Sequence, residues 1–357
     1  MKILKISTIL TFCIITFSCT ISQKYEFEEQ YKIEGNEILT DELDVTTAYI
    51  IDSLLLLKTR GSQGIFFKVY DVNSLEKIGE FGEKGEGPLE FMATRLSGDY
   101  IEENGEKLLL ISDPTKLNIK YLNLSNFVKN GEEKYERELN PNVDHGVTQA
   151  VYQLNDSVVV STSGIDILER GRLIFYNLKS DVKSTTELFP QIKDHTLDPY
   201  SQYALYFSHI TVNKGKKLIA YAMDAFNRVD IFSFDGELVT TAITGNSDFI
   251  INNENLTNGN ALIPYNTNYM HIASTNEYIY ALHYDQNYME IGKIEIEPSI
   301  KVFTWDGKFK CQLNTPDYIS TFSVTSDNSK IIAVDNYSGK IIQYNISEIM
   351  NRPRNTE

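Results

Sequence analysis

A chain of 357 residues with 42% hydrophobic and 23% charged positions has the balance of a globular protein, long enough for two ordinary domains or one closed repeat ring. Its 22 Tyr and 18 Phe against a single Trp lean toward strands, because aromatic side chains fit a pleated surface. A formal net charge of −16 repels phosphate backbones and anionic headgroups, which excludes nucleic acid as a partner and leaves a membrane reachable only through an anchor.

The chain opens with Lys2 and Lys5 ahead of an apolar run, Ile6 to Phe17, that stops at Ser18-Cys19. The run is too short to span a bilayer, is charged at its start and ends on a small residue, which is the pattern of an export signal. It resembles a bacterial lipoprotein signal, with Thr16 where the usual pattern has Leu. That resemblance implies removal of residues 1–18, a lipid on Cys19, a polar tether over 19–24, and an exported product anchored in the bacterial cell envelope. Of the 3 cysteines, only Cys311 is then left to the folded part, so no internal disulfide is expected.

Tyr25 to Ile33 alternates weakly and predicts one strand. Six units follow, each an apolar strand, an acidic or Asn turn, and a strand holding an aromatic: Ser53–Leu57 to Phe66–Tyr70, Leu108–Asp113 to Ile119–Leu122, Ser157–Thr162 to Leu173–Tyr176, Lys217–Asp224 to Val229–Phe234, Tyr278–Tyr284 to Ile300–Trp305, and Lys330–Asp335 to Ile342–Tyr344. Between the first two lies Phe81–Phe91, FGEKGEGPLEF, whose glycines and Pro88 predict a crossover between β-units. Phe232–Val239 and Phe303–Lys310 are copies of one hairpin built on Asp-Gly. The last unit shows three strands, Thr321–Thr325, Lys330–Asp335 and Lys340–Tyr344. Spacing of about 40 to 70 residues suits four-stranded propeller blades. The predicted fold is therefore all-β, a six-bladed β-propeller of four-stranded antiparallel blades over 25–349, closed by the N-terminal strand joining the last blade, with 350–357 as a tail.

With its lipoprotein-like start, its blade grammar and the Gly-x-Gly-Pro-x-Glu-Phe element at Gly85–Phe91, the chain resembles the six-bladed TolB-like β-propeller lipoproteins of Bacteroidetes-type bacteria and, more distantly, NHL-repeat propellers. That element usually carries Arg before Gly-Pro and Gly after it, where this chain has Glu86 and Leu89, and with Glu83 nearby the loop is not expected to hold an anion.

Nothing in the chain nominates a nucleophile. There is no Gly-x-Ser-x-Gly elbow, and the Ser-x-x-Lys at Ser180 to Lys183 falls in a polar turn. His145, His195, His209, His271 and His283 share no ligand spacing, so no metal or catalytic residue is assigned. Six-bladed calcium hydrolases hold their ion in the central tunnel with Asn, Asp and Glu from different blades; Asp113, Asp224 and Asp335 are candidates for that, or plain turn acids. Two long insertions break the rhythm, Pro190–Ser208 and Asn246–Tyr269. Their Tyr200, Tyr203, Tyr206, Tyr265 and Tyr269 are candidate ligand-binding residues, since aromatic faces beside amides suit sugars or peptides. The alternative is that these rings pack their own loops onto the blade below. The expected function is a non-catalytic binding or scaffold module for a carbohydrate, peptide or envelope protein, without a cofactor; the rival is a calcium-dependent lactonase or esterase-like hydrolase.

Overall fold

A computed structural model describes residues 23–25, 29–139, 151–162, 172–180, 182–186, 203, 205–244, 266–287 and 297–352. Residues 1–18, Cys19, Tyr200 and Tyr265 lie outside them. Three short strands come first: β1 (Gln23–Tyr25), β2 (Gln30–Lys32) and β3 (Gly35–Ile38). Blade one is β4 (Val45–Ile51), β5 (Leu54–Thr59), β6 (Ile65–Asp71) and β7 (Lys77–Glu83). Blade two is β8 (Arg95–Glu103), β9 (Glu106–Asp113), β10 (Asn118–Asn123) and β11 (Tyr135–Leu139). Blade three is β12 (Tyr152–Asn155), β13 (Val158–Thr162), β14 (Leu173–Asn177) and β15 (Val182–Thr185). Blade four is β16 (Ser208–Asn213), β17 (Leu218–Met223), β18 (Arg228–Ser233) and β19 (Leu238–Thr244). Blade five is β20 (Asn266–Ser274), β21 (Tyr278–Asn287), β22 (Ser299–Thr304) and β23 (Phe309–Asn314). Blade six is β24 (Thr321–Val324), β25 (Lys330–Val334) and β26 (Ile341–Asn345), completed by β3. The fold is an all-β six-bladed propeller, and the six sequence units are the two middle strands of its six blades.

Closure by the N-terminal strand holds, with a change of segment. The expected span, Tyr25–Ile33, supplies β2, which runs parallel to β23 on the rim of blade five, while β1 lies parallel to β19 on the rim of blade four. The strand that closes blade six is β3, antiparallel to β26 with Gly35 opposite Tyr344 and Ile38 opposite Ile341. Gly35 is what permits this approach: a Cβ there would overlap both Ile342 and the Tyr344 ring. Ile33, just before it, is buried in the core shared by blades five and six.

Alternating apolar residues bury both faces of each blade against its neighbours. The described core divides into six clusters, one per blade boundary, and the ring is shut where Val45, Leu55 and Leu57 of blade one meet Ile332, Val334 and Ile341 of blade six. Between blades three and four the core includes charge. Asp230 accepts from Arg228 Nε (3.0 Å) and Nη2 (2.6 Å) and from Thr241 Oγ1 (2.6 Å), and pairs with Arg172 Nη1 of blade three at 2.7 Å. The Arg172 guanidinium lies 4.1 Å from the Tyr221 ring centroid.

A helix lies within blade two. α1 (Leu124–Asn130) sits between β10 and β11, started by the Asn123 side chain, which accepts from Asn126 N (2.8 Å), and ended at Gly131 with φ 72°. Its Leu124 and Phe127 are buried, Phe127 edge-on to Phe81 at 5.2 Å.

Two stability outcomes follow from these joints. Gly35→Val should cost about 1–3 kcal/mol, the usual penalty for overpacking, read as a lowered urea midpoint; an unchanged midpoint would show that blade six does not depend on β3. Asp230→Ala should cost about 3–5 kcal/mol, because it strands two buried cations, and a loss under about 1 kcal/mol in the same measurement would contradict that account.

Candidate functional site

In each blade the first strand lines the axis, and the turns joining first to second and third to fourth strands fall on one face. The opposite face carries second-to-third turns and the blade-to-blade connections. The strands flanking 140–150, 163–171, 187–202, 245–265 and 288–296 all end on this second face, so the two long insertions leave neighbouring blades on the same side.

The Gly-rich element is a closed inter-blade turn on that face. Gly85 N donates to Phe91 O (2.9 Å) and Phe91 N to Glu83 O (2.8 Å), while the Glu90 carboxylate folds back to accept from Gly87 N (2.7 Å). A Cβ on Gly85 would strike that carboxylate, which is the local need for glycine. The outward carbonyls are taken by two lysines: Lys116 Nζ donates to Gly87 O (2.7 Å) and Glu90 O (2.8 Å), and buried Lys120 Nζ donates to Pro88 O (2.6 Å) and Glu90 O (3.1 Å) over the Phe91 ring. With Gly87 N taken by Glu90 and two ammoniums on its carbonyls, the loop is a fastening between blades one and two.

The central channel has a volume near 380 Å³ and is lined by the first strands of all six blades with Thr162. Its hydroxyls staple adjacent blades: Ser97 Oγ donates to Val151 O (2.7 Å), Ile50 N to Ser323 Oγ (3.2 Å), Thr321 Oγ1 to Thr46 O (3.2 Å), and Thr211 Oγ1 meets Ser274 Oγ at 2.7 Å. His209 and His271 stand 6.2 Å apart by ring centroids, with His271 Nε2 2.9 Å from Phe322 O. Burial pushes His209 down to about 3, helped by the His271 charge, and His271 down to about 4, so both imidazoles are neutral and weakly basic at pH 7. Burial also lifts the Cys311 thiol to about 12, far from nucleophilic.

A second cavity, near 480 Å³, opens on the opposite face between blades two and three, with Lys214 of blade four reaching its edge. It exists where the described apolar core is smallest and where β8 bulges. Between Leu96, opposite Ile111, and Tyr100, opposite Leu109, the three residues Ser97–Asp99 face one position of β9. Gly98 adopts φ 77°, a conformation open to glycine. The bulge turns the Asp99 carboxylate toward blade three, where Oδ2 accepts from Gln153 N (2.8 Å) and Oδ1 meets Lys214 Nζ at 2.7 Å. Asp99 lines both cavities, and burial raises its pKa against the opposing pull of Lys214.

Of the five candidate tyrosines, Tyr206 and Tyr269 are core side chains, which corrects their assignment as ligand contacts. Tyr206 stacks on Phe226 (5.9 Å), and Tyr269 is fully buried, its hydroxyl 3.1 Å from Thr244 Oγ1 and its ring edge-on to His283. Tyr203 is half-buried, edge-on to Phe207. The reading in which such rings pack onto the blade below is the one these two obey. Asp113 and Asp335 cap turns, accepting from Thr115 N and Lys116 N and from Tyr337 N and Ser338 N. Asp224 ends its strand at the boundary with blade five, where its carbonyl accepts from Asn268 N. Among the described residues no three of His, Cys, Asp and Glu gather around a point that would hold a metal ion.

An aromatic set that sequence reasoning passed over lies on the loop-bearing face. Tyr337, 70% exposed, stands 5.3 Å from Tyr318, which lies 5.8 Å from buried Tyr284, whose hydroxyl donates to Ile319 O. The Tyr337 turn is pinned by Asp335 and by Asn336, whose carbonyl accepts from Arg60 Nη2 (2.5 Å) and whose N–H donates to Ser320 Oγ (3.1 Å). The available signal was a tyrosine inside a turn of Asp, Asn, Ser and Gly.

The profile of the TolB-like 6-blade propeller-like family matches residues 47–327. The chain belongs to that family. Among solved structures this TolB-like propeller is similar to a DUF4221-family protein from Bacteroides vulgatus, at TM-score 0.56 and 12% identity over 90% of this chain and 98% of the other. It is also similar to a Bacteroides fragilis protein described as exported, at TM-score 0.56 and 11% identity over 88% and 98%. No curated protein sequence matches it.

The channel histidines give the family member a pH dependence of known sign. Unfolded imidazoles titrate near about 6.5, so below that pH the unfolded chain takes up protons that the folded chain refuses until its own lower values are reached. Their contribution to stability should be level above about pH 7 and fall as pH drops below about 6.5, by up to about 1.4 kcal/mol per pH unit for each imidazole. His209→Gln should flatten that slope in urea unfolding; an equal slope would remove His209 from the account.

Proposed function

We propose that this TolB-like propeller is an exported envelope lipoprotein, tethered through Cys19, that binds a carbohydrate without turning it over. The observation carrying the reading is the Tyr318–Tyr337 pair on the loop-bearing face. A rigidly seated, outward aromatic offers a sugar ring a flat apolar surface at little entropic cost, and Arg60 beside it, 57% exposed at its side chain, offers donors to hydroxyls. The absence of catalytic chemistry is supported by the engaged channel hydroxyls, the weakly basic imidazoles and the unreactive thiol. The apolar run ending at Ser18-Cys19 and the exported relative from Bacteroides fragilis support the envelope address.

On a glycan array Tyr337→Ala should lower retention of any bound glycan about tenfold or more while leaving melting within about 0.5 kcal/mol of wild type, as for an exposed site. Retention equal to wild type would move the site off this turn. Radiolabelled fatty acid should enter wild type and not Cys19→Ala, and equal labelling would refute the anchor.

A further inference from the structure

On the face opposite the tyrosine pair, the crevice between blades two and three is occupied by part of the chain itself. Lys214 sits in the turn between β16 and β17 of blade four, yet its ammonium bypasses blade three to reach blade two, 2.7 Å from Asp99 Oδ1 and 2.6 Å from Tyr100 O. A carboxylate oxygen and a main-chain carbonyl converging on one nitrogen form a seat for a primary ammonium, a compact cation with three donors. The seat is built into the backbone: the Ser97–Asp99 bulge and the left-handed Gly98 aim the carboxylate, and Gln153 N holds its other oxygen. Bulges beside cavities commonly re-aim a side chain in this way.

The two partners of this ion pair differ in exposure. The Asp99 side chain is 11% exposed and the Lys214 side chain 38%. A displaced Lys214 therefore swings into water at small cost, whereas Asp99 left without a cation would be a nearly buried, unpaired charge. Another cation can take the place. The rest of the lining agrees in sign: Glu102, Glu103 and Asp156 stand against Arg137, which already lies 3.6 Å from Glu103. A volume near 480 Å³ accommodates a small aliphatic molecule.

We infer that the crevice between blades two and three is a binding site for small ligands bearing a primary ammonium on an alkyl chain, with Lys214 as the built-in competitor on Asp99 Oδ1. Asp99 also lines the central channel. The site is independent of the tyrosine pair on the other face.

The test uses 1,5-diaminopentane as the cation and glutarate, its dianionic counterpart of similar length, as the control, followed by calorimetry and by the melting shift. Lys214→Gln should bind the diamine about tenfold more tightly than wild type, since the competitor is gone and about 1.4 kcal/mol is the corresponding free energy. Asp99→Asn, in wild type and in Lys214→Gln, should abolish that binding; its amide preserves shape, and a melting curve checks that each variant is folded. If Lys214→Gln melts too low for calorimetry, the diamine should still raise its melting point and glutarate should not. Tyr337→Ala should leave diamine binding unchanged, which separates failure here from failure of the carbohydrate reading. Equal diamine affinity in wild type and Lys214→Gln, binding that survives Asp99→Asn, or a preference for glutarate would each overturn the proposal.

Discussion

Every blade of this protein is a sheet with two apolar faces, and neither can be covered except by another blade. That single requirement forces closure. An open row would expose the outer faces of blades one and six, the faces that carry Val45, Leu55 and Leu57 on one side and Ile332, Val334 and Ile341 on the other. The pieces are locked by β3, whose pairing to β26 ties the start of the chain to its end. The residues before it add to the same purpose: β1 and β2 lie along the rims of blades four and five before β3 enters blade six, so the opening segment binds three consecutive blades by main-chain hydrogen bonds.

Closure also decides what the interior is free to do. Six first strands brought to one axis place Ser and Thr side chains around a narrow channel, and several of them bond to adjacent blades. The two imidazoles there are held neutral by burial. Chemistry is therefore pushed outward to the two faces, which differ. One holds short turns and the crevice with its carboxylates; the other holds the longer connections and the tyrosine pair. A ring of this kind separates its two faces by its own thickness, so a ligand on one face makes no contact with the other.

The parts of the fold legible in the sequence were those set by local pattern. Paired β-branched and aromatic runs marked the middle strands of all six blades, and the Asp-Gly turns of Phe232–Val239 and Phe303–Lys310 reappear as hairpins with Gly236 at φ 83° and Gly307 at φ 81°. What escaped depends on distant neighbours. Tyr25–Ile33 alternates as well as Gly35–Ile38 does, and only the tight fit of Gly35 against Ile342 and Tyr344 selects the later segment. Tyr206 and Tyr269 look like loop aromatics until their own blades supply Phe226 to one and His283 to the other. The short helix was marked by Asn123 and Gly131, but the surrounding strand pattern masks so brief a signal. The bulge at Ser97–Asp99 had Gly98 as its trace, and no local rule says which way such a bulge aims its carboxylate.

Charge inside the blade boundaries follows from the same geometry. Apolar faces attract one another without fixing how far one sheet slides along the next, since dispersion and hydrophobic burial are nondirectional. Directional groups at the boundaries resolve that freedom. Lys116 and Lys120 hold the carbonyls of Gly87–Glu90 between blades one and two, and Arg172 of blade three meets Asp230 of blade four. Lys214 binds Asp99 across a blade. The first two are enclosed by aromatic rings, over Phe91 and Tyr221, where an alternative register would leave a cation without its acceptors and is penalised accordingly. The third is nearer to water and rests on one carboxylate and one carbonyl, so of these charged joints it is the one a soluble cation can open.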